Sequence, residues 1–322
     1  MKHLIITADD YGVFPAINQA VIEAAQARKL NSVAALMNYD REDGKSYNSS
    51  IENLKLLLDQ TSGDIEVGCH LTITSGKPVT GDKMAFACDN EGNFLTYTEM
   101  RNYKQPEELK ALKEELCEQI KRMEINSFKP KHLTNHHNSL TLFRHHFDIY
   151  MEVARLFNLP MRSTVVEPTG KQNFYLKFLN HTLQDDIHAI DRNEMKKFAD
   201  EINEHFTKNA NGIKSPHKVD SRHYGPLNFL PLVRMAELAF VAQKKNQLDS
   251  LYQSFNSSEA SSLELMLHLA KATGIKVERD NELKYTGIDK SYFDSRAIEF
   301  RSIMNYDMSS WNGVEVKGWG QL

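Results

Sequence analysis

Three segments at the start of the chain leave few folds open. Residues 3–7 (HLIIT) and 32–37 (SVAALM) are short apolar runs bounded by turn signals, which read as buried strands. Between them, residues 15–28 place Ile17, Ala20, Val21 and Ala24 at spacings of three and four, the period of an amphipathic helix. Pro15 sits in its first turn, where a missing N–H costs nothing. Strand, loop, helix and strand in this order form the unit of a parallel sheet or barrel.

The alternation continues along the chain. Residues 50–59 predict a helix, 65–71 a strand, and 106–123 the clearest helix, with Leu109, Leu112, Leu116, Ile120 and Met123 on one face. A short strand lies within 130–142, and Phe147, Tyr150, Met151, Ala154 and Phe157 mark a helix ending near Asn158. Residues 160–166 read as a strand carrying an isolated Arg162, 229–243 as a helix, 262–269 as a strand and 292–304 as a last amphipathic helix. No repeat or linker interrupts the pattern. The expectation is one α/β domain over residues 1–322, a TIM-barrel-like (β/α) barrel, with a polar insertion around 167–212 that includes a helix near Met195 to Phe206. A chain of 322 residues can bury a sizeable core.

Composition excludes more than it names. Apolar residues make up 41% and charged residues 25% of the chain, ordinary for a soluble globular protein. A net charge of −4 gives no basic footprint for nucleic acid, and no arginine-rich run interleaves with aromatics. Cys69, Cys88 and Cys117 are too few and too irregular for a disulfide framework. There is no charged start followed by an apolar leader and no segment of membrane-spanning length. A cytoplasmic protein, binding neither nucleic acid nor membrane, is expected.

In (β/α) barrels the working residues gather at the C-terminal ends of strands. Asp9, Asp10, His70, His136, Arg162 and His268 all fall at such ends. The Asp9–Asp10 pair is the most demanding, because adjacent carboxylates on a buried strand repel each other and lose hydration unless a cation or shared proton offsets this. Neighbours on an extended chain point in different directions, so Asp10 can bind a metal while Asp9 faces a substrate as base. Simple capping of the next helix is the alternative. After the strand in 130–142, His132, His136 and His137 compete for a ligand role. His145 and His146 are expected on a solvated helix surface, and His217 and His223 in a loop. The polar stretch 72–97 is long for a connector and is a candidate active-site loop.

The segments TADDYG (7–12), GCHL (68–71) and HLTNHHN (132–138) resemble, in order and spacing, the motifs of the YdjC-like carbohydrate deacetylases, also called chitooligosaccharide deacetylases. GKP at 76–78 fits the same pattern, Arg162 stands where the family carries a strand arginine, and LELMLH at 263–268 resembles a late strand ending in Cys-His-Pro. The resemblance implies a distorted (β/α) barrel and one divalent metal held by Asp10, His70 and His136. Asp9 would be the catalytic base, His268 the acid, and Arg162 would orient Asp9 or hold a substrate oxygen. The chain departs from the pattern at Thr134, where an Asp is common, and at Asn138 and Leu140, where further histidines are. Leu267 and Leu269 replace the Cys and Pro beside His268, which leaves a buried structural histidine as the alternative to an acid.

Two imidazoles and one carboxylate leave a position open for water and substrate, as catalytic sites do. Such ligands suit zinc, while magnesium, which prefers oxygen, is the second choice. The expected reaction is hydrolysis of the N-acetyl group of an amino sugar or short chitooligosaccharide. Phe86, Phe94 and Tyr97 could stack on sugar rings, or their loop could pack as a lid on the barrel rim. Two other functions compete: a metal-dependent phosphoesterase, which would lack the ligands for a second metal, and a non-catalytic sugar-binding protein on the same fold. The expected partner is the small acetylated sugar, and the chain could pair as a homodimer.

Overall fold

A computed structural model of the protein describes residues 1–39, 49–96, 99–141, 143–162, 217–220, 234–271 and 290–321, together with 201, 204–206, 208–209 and 213–214. Among them run the strands β1 (Lys2–Tyr11), β2 (Ser32–Ala35), β3 (Glu66–Leu71), β4 (Leu133–Asn135), β5 (His217–Asp220), β6 (Ser262–Leu267) and β7 (Val314–Val316). They follow the order β4-β3-β2-β1-β6-β5, with β7 on β1. β1 pairs in parallel with β2, β6 and β7, β3 with β4, and β5 with β6. The helices α1 (Pro15–Gln26), α2 (Ser50–Gln60), α3 (Pro106–Ile125), α4 (Arg144–Leu156), α5 (Arg234–Ser257) and α6 (Lys290–Asn305) accompany this parallel sheet, the architecture of a distorted (β/α) barrel. The chain divides into two compact units, Met1–Gly68 with Pro216–Leu322, and Cys69–Ser215.

In the first unit, β1 is paired on both edges and its residues Leu4, Ile5, Ile6 and Ala8 are buried. A strand enclosed in this way is apolar almost throughout. It outruns the expected residues 3–7 and takes Asp9 and Asp10 into its last turn of pleat. Helix α1 buries Ile17, Ala20, Val21 and Ala24, as their spacing predicts. It stops short of residue 28 because Arg28 adopts φ 55°, with the Arg28 and Lys29 N–H groups closing onto the Ala25 and Ala24 carbonyls. Helix α2 opens with a capping box in which Ser49 and Glu52 each bond the other's backbone N–H.

Helix α5 runs well past the expected end at 243, with Leu248, Leu251 and Phe255 buried at helical spacing. Helix α6 contains the expected 292–304 and buries Phe293, Ala297 and Phe300. Beyond it, where no element was expected, β7 joins β1 and the Trp319 indole N–H donates to Thr7 Oγ1 at 3.2 Å. Gly320 N–H donates to Glu66 Oε2, and a Cβ at Gly318 would lie 2.1 Å from Glu66 Cδ, so a larger residue there would have to displace the Glu66 carboxylate.

In the second unit, α3 packs on α4. Leu112, Leu116, Ile120 and Met123 are fully buried, and Leu109 is half-buried. Helix α4 buries Phe147, Tyr150, Met151, Val153 and Ala154. His145 is exposed as expected, but His146 is not on a solvated surface. Its side chain is buried, its Nε2 accepts the Tyr103 N–H at 3.1 Å, and burial pushes its pKa down to about 4. One residue along a helix turns the side chain by about 100°, enough to carry it from solvent to core.

The described part of the 72–97 stretch, 72–96, is buried at its start and mostly half-buried or exposed from 77 to 93. It contains a 3₁₀ helix, Gly81–Ala87, and a bridge between Cys88 and Phe94. Phe94 is buried and Phe86 meets Tyr103 edge-on, so both rings have partners within the protein. Tyr97 lies outside the described residues, as do His223, most of the 167–212 insertion and the strand expected at 160–166 beyond Arg162.

Candidate functional site

Register places the first group of side chains. Ala8 of β1 pairs with Leu267 of β6, so the next residues, Asp9 and His268, emerge side by side. Both are buried, and His268 Nε2 stands 3.8 Å from Asp9 Oδ2, an ion-pair distance if the imidazole is protonated. Asp10 breaks the alternation of the strand. It adopts φ 64°, and the β1–β2 register shifts between Ala8 and Tyr11. Aspartate tolerates this left-handed conformation better than most side chains, though at a cost, and such strain concentrates at functional sites. The turn is completed by Val13 N–H on the Asp10 carbonyl and by Gly12 N–H on Asn18 Oδ1. Gly12 itself sits at φ 103°, and a Cβ there would press on the Leu36 carbonyl.

The second group is set by β3 and β4. His70 pairs with Thr134, and His70 Nδ1 lies 2.6 Å from the Thr134 hydroxyl. His136 follows β4 directly, in a 3₁₀ segment kinked by left-handed His137 and Asn138. His136 Nδ1 is 3.3 Å from His70 Nε2. His137 turns aside to the Thr74 hydroxyl at 3.0 Å, and His132 is buried at the start of the motif. Arg162 is also buried, with its backbone N–H on the Leu133 carbonyl at 2.8 Å. Cys69, next to His70, takes no part: burial pushes its thiol well above neutrality.

Among the described residues, Asp10, His70 and His136 form the group able to hold a metal ion, each offering one ligand atom within 4.8 Å of the others. The donor chemistry fits a divalent ion. The Thr134 contact occupies Nδ1 of His70 and leaves Nε2 for coordination. Two ring nitrogens 3.3 Å apart repel if both present lone pairs, so a proton or a cation belongs between them. Metal–nitrogen bonds of about 2.0–2.1 Å at a tetrahedral angle would set the same spacing, roughly 3.3 Å.

Four polar side chains around this chemistry escaped the sequence reading. On α3, Glu115 and Gln119 are fully buried and grip the segment that follows His70. Glu115 accepts the N–H groups of Val79 and Thr80 and the Thr80 hydroxyl, while Gln119 exchanges two hydrogen bonds with the Thr72 backbone. On α6, Arg296 and Glu299 are buried too. Arg296 Nη2 lies 3.9 Å from Asp10 Oδ2, and Glu299 Oε1 accepts the His268 N–H at 3.1 Å. The available signal was a charge in an apolar stripe: Arg296 falls three residues after Phe293, on the face that carries Ala297 and Phe300.

A family model described as YdjC-like protein matches residues 3–311. A carbohydrate deacetylase of Clostridium beijerinckii is 30% identical over 171 residues, 53% of this chain and 63% of that protein. A carbohydrate deacetylase of Vibrio cholerae is 28% identical over 178 residues, 54% of this chain and 63% of that protein. The matches thus span a little under two thirds of the length of these curated relatives. A crystal structure from Enterococcus faecalis, provisionally described as a cellobiose-phosphate cleavage protein, superposes with a TM-score of 0.68, covering 99% of this chain and 98% of that one at 18% identity. That likeness carries the fold. No helix among the described residues is long and apolar enough to cross a membrane.

Proposed function

This chain belongs to the YdjC-like family, and on that premise we propose that it is a metal-dependent carbohydrate deacetylase, hydrolysing the N-acetyl group of an amino sugar or short chitooligosaccharide. The observation that carries the reading is the meeting of Asp10, His70 and His136, drawn from three separated motifs. The names of the relatives, carbohydrate deacetylases, support the substrate class.

Asp10, His70 and His136 would hold the ion, with zinc favoured by two nitrogen ligands and one carboxylate. A divalent ion there supplies Lewis acidity, which acidifies water and polarises an amide carbonyl. Asp9 is the base that takes a proton from the attacking water. The departing amine is a poor leaving group until its nitrogen is protonated, and His268 is the acid that delivers that proton. His268 Nε2 lies 3.8 Å from Asp9 Oδ2, which sets the proposed acid and base side by side. Arg162 orients Asp9 or holds a substrate oxygen. With Cys69, Cys88 and Cys117 all unbridged, a reducing compartment such as the cytoplasm suits the chain.

The test is acetate release from diacetylchitobiose by the purified protein, before chelation, after chelation and after return of zinc. The proposal expects release that stops with the chelator and resumes with the metal. Release indifferent to chelation would remove the metal from the account. Binding of the sugar without turnover under every metal condition would favour a non-catalytic sugar-binding protein, and phosphate release from an aryl phosphate a phosphoesterase.

A further inference from the structure

Helix α6 buries two charged side chains three residues apart, hence on one side of the helix. Arg296 and Glu299 are only 6% and 5% exposed. A buried guanidinium is costly to desolvate, and a hydrophobic side chain of similar volume often leaves a protein as stable or more so. Packing alone therefore does not account for arginine at this position. Its Nη2 stands 3.9 Å from Asp10 Oδ2. One turn on, Glu299 holds the backbone of His268, and the Arg296 carbonyl takes the Ala270 N–H at 3.4 Å. The same helix face thus reaches the end of β1 and the residues just after β6.

We propose that Arg296 is a positioning residue for the metal site, holding Oδ2 of Asp10 so that the other carboxylate oxygen alone is presented to the ion. The inference rests on the metal reading above. It adds a residue outside the segments 7–12, 68–71, 76–78, 132–138 and 263–268 and gives α6 a role in that site. A carboxylate restrained in this way binds through one oxygen, which keeps coordination positions open for water and substrate. Asp10 needs such restraint more than most ligands because its backbone is in the left-handed region, at φ 64°.

The sign of the effect separates positioning from simple electrostatics. A fixed positive charge repels a cation, so by Coulomb's law alone its removal should tighten metal binding. Loss of a group that orients a ligand weakens metal binding, typically 10- to 100-fold.

Zinc titrations followed by calorimetry, on wild-type protein, Arg296→Met and Arg296→Lys, decide the matter, with circular dichroism to verify folding. The expected result is one zinc per wild-type chain, a roughly 10- to 100-fold weaker Kd for Arg296→Met, and a smaller loss for Arg296→Lys, which keeps the charge but not the planar fork. Binding by folded Arg296→Met as tight as wild type, or tighter, overturns the proposal and leaves the metal site standing. Should Arg296→Met fail to fold, Arg296→Lys decides, and an unchanged Kd overturns the proposal. Failure of the wild-type protein itself to bind zinc overturns the metal reading, and this inference with it.

Discussion

Helices α3 and α6 both bury charge on their inner faces, one toward backbone and the other toward the side chains and strand ends of the site. Glu115 and Gln119 of α3 saturate N–H and C=O groups between Thr72 and Thr80. Arg296 and Glu299 of α6 reach a carboxylate and the residue that carries an imidazole. The difference separates two uses of a buried polar group. The α3 pair fixes the course of a loop, so its loss should register as stability. The α6 pair stands beside groups with chemistry to perform, so its loss should register in metal affinity and turnover.

The largest effect is expected where side chains do chemistry. Asp9→Asn keeps the shape and removes the base, so kcat should fall by about 10²- to 10⁴-fold while the zinc Kd stays at its wild-type value. A variant that keeps full turnover would take Asp9 out of the mechanism. On the α3 side, Glu115→Ala removes the partner of two half-buried backbone N–H groups and a hydroxyl and leaves a hole where a fully buried carboxylate stood. A loss of about 3–5 kcal/mol in urea unfolding is expected; a loss below about 1 kcal/mol would mean the loop does not depend on that carboxylate.

His146 is another buried polar residue, held neutral. Its pKa is pushed down to about 4, chiefly by burial, against about 6.5 in the unfolded chain. Above pH ~6.5 its contribution to stability is fully present. As pH falls from there toward 4, the unfolded chain takes up a proton that the folded chain refuses, and about 3 kcal/mol is lost. Urea unfolding at pH 7.5 and 4.5 should show a smaller acid penalty for His146→Gln than for wild type, and equal penalties would contradict this. The smallest effect is expected at Thr134, which touches a ligand without being one. Thr134→Val removes the hydroxyl from His70 Nδ1 and should weaken zinc binding by about 10-fold, the low end of such effects, with little change in the urea midpoint.

Much of this arrangement was legible because it follows from period and turn chemistry. The apolar run of β1, the faces of α1 and α3, and the position of Asp9, His70 and His136 at or just past the C-terminal ends of strands all read directly from residue order. Helix ends were less legible. Helices α1, α2, α3 and α4 all close through a left-handed residue, Arg28, Ser62, Ser127 and Asn158, and none of these is glycine. Helix α5 continues beyond the expected 243 because Lys244, Lys245 and Asn246 only interrupt an apolar period that Leu248 resumes. His146 and Arg296 were hidden for a shared reason: polar residues on helices default to solvent unless the core behind them is known. The C-terminal residues, few and rich in glycine, carry no period, and tertiary pairing with β1 and Glu66 alone orders them.

The most direct measurement is the anomalous signal of zinc in crystals of the protein grown with the ion. The account predicts one strong peak about 2.0–2.2 Å from a carboxylate oxygen of Asp10, Nε2 of His70 and Nδ1 of His136. A peak elsewhere, or zinc held by His132 or His137 in place of His136, would contradict it.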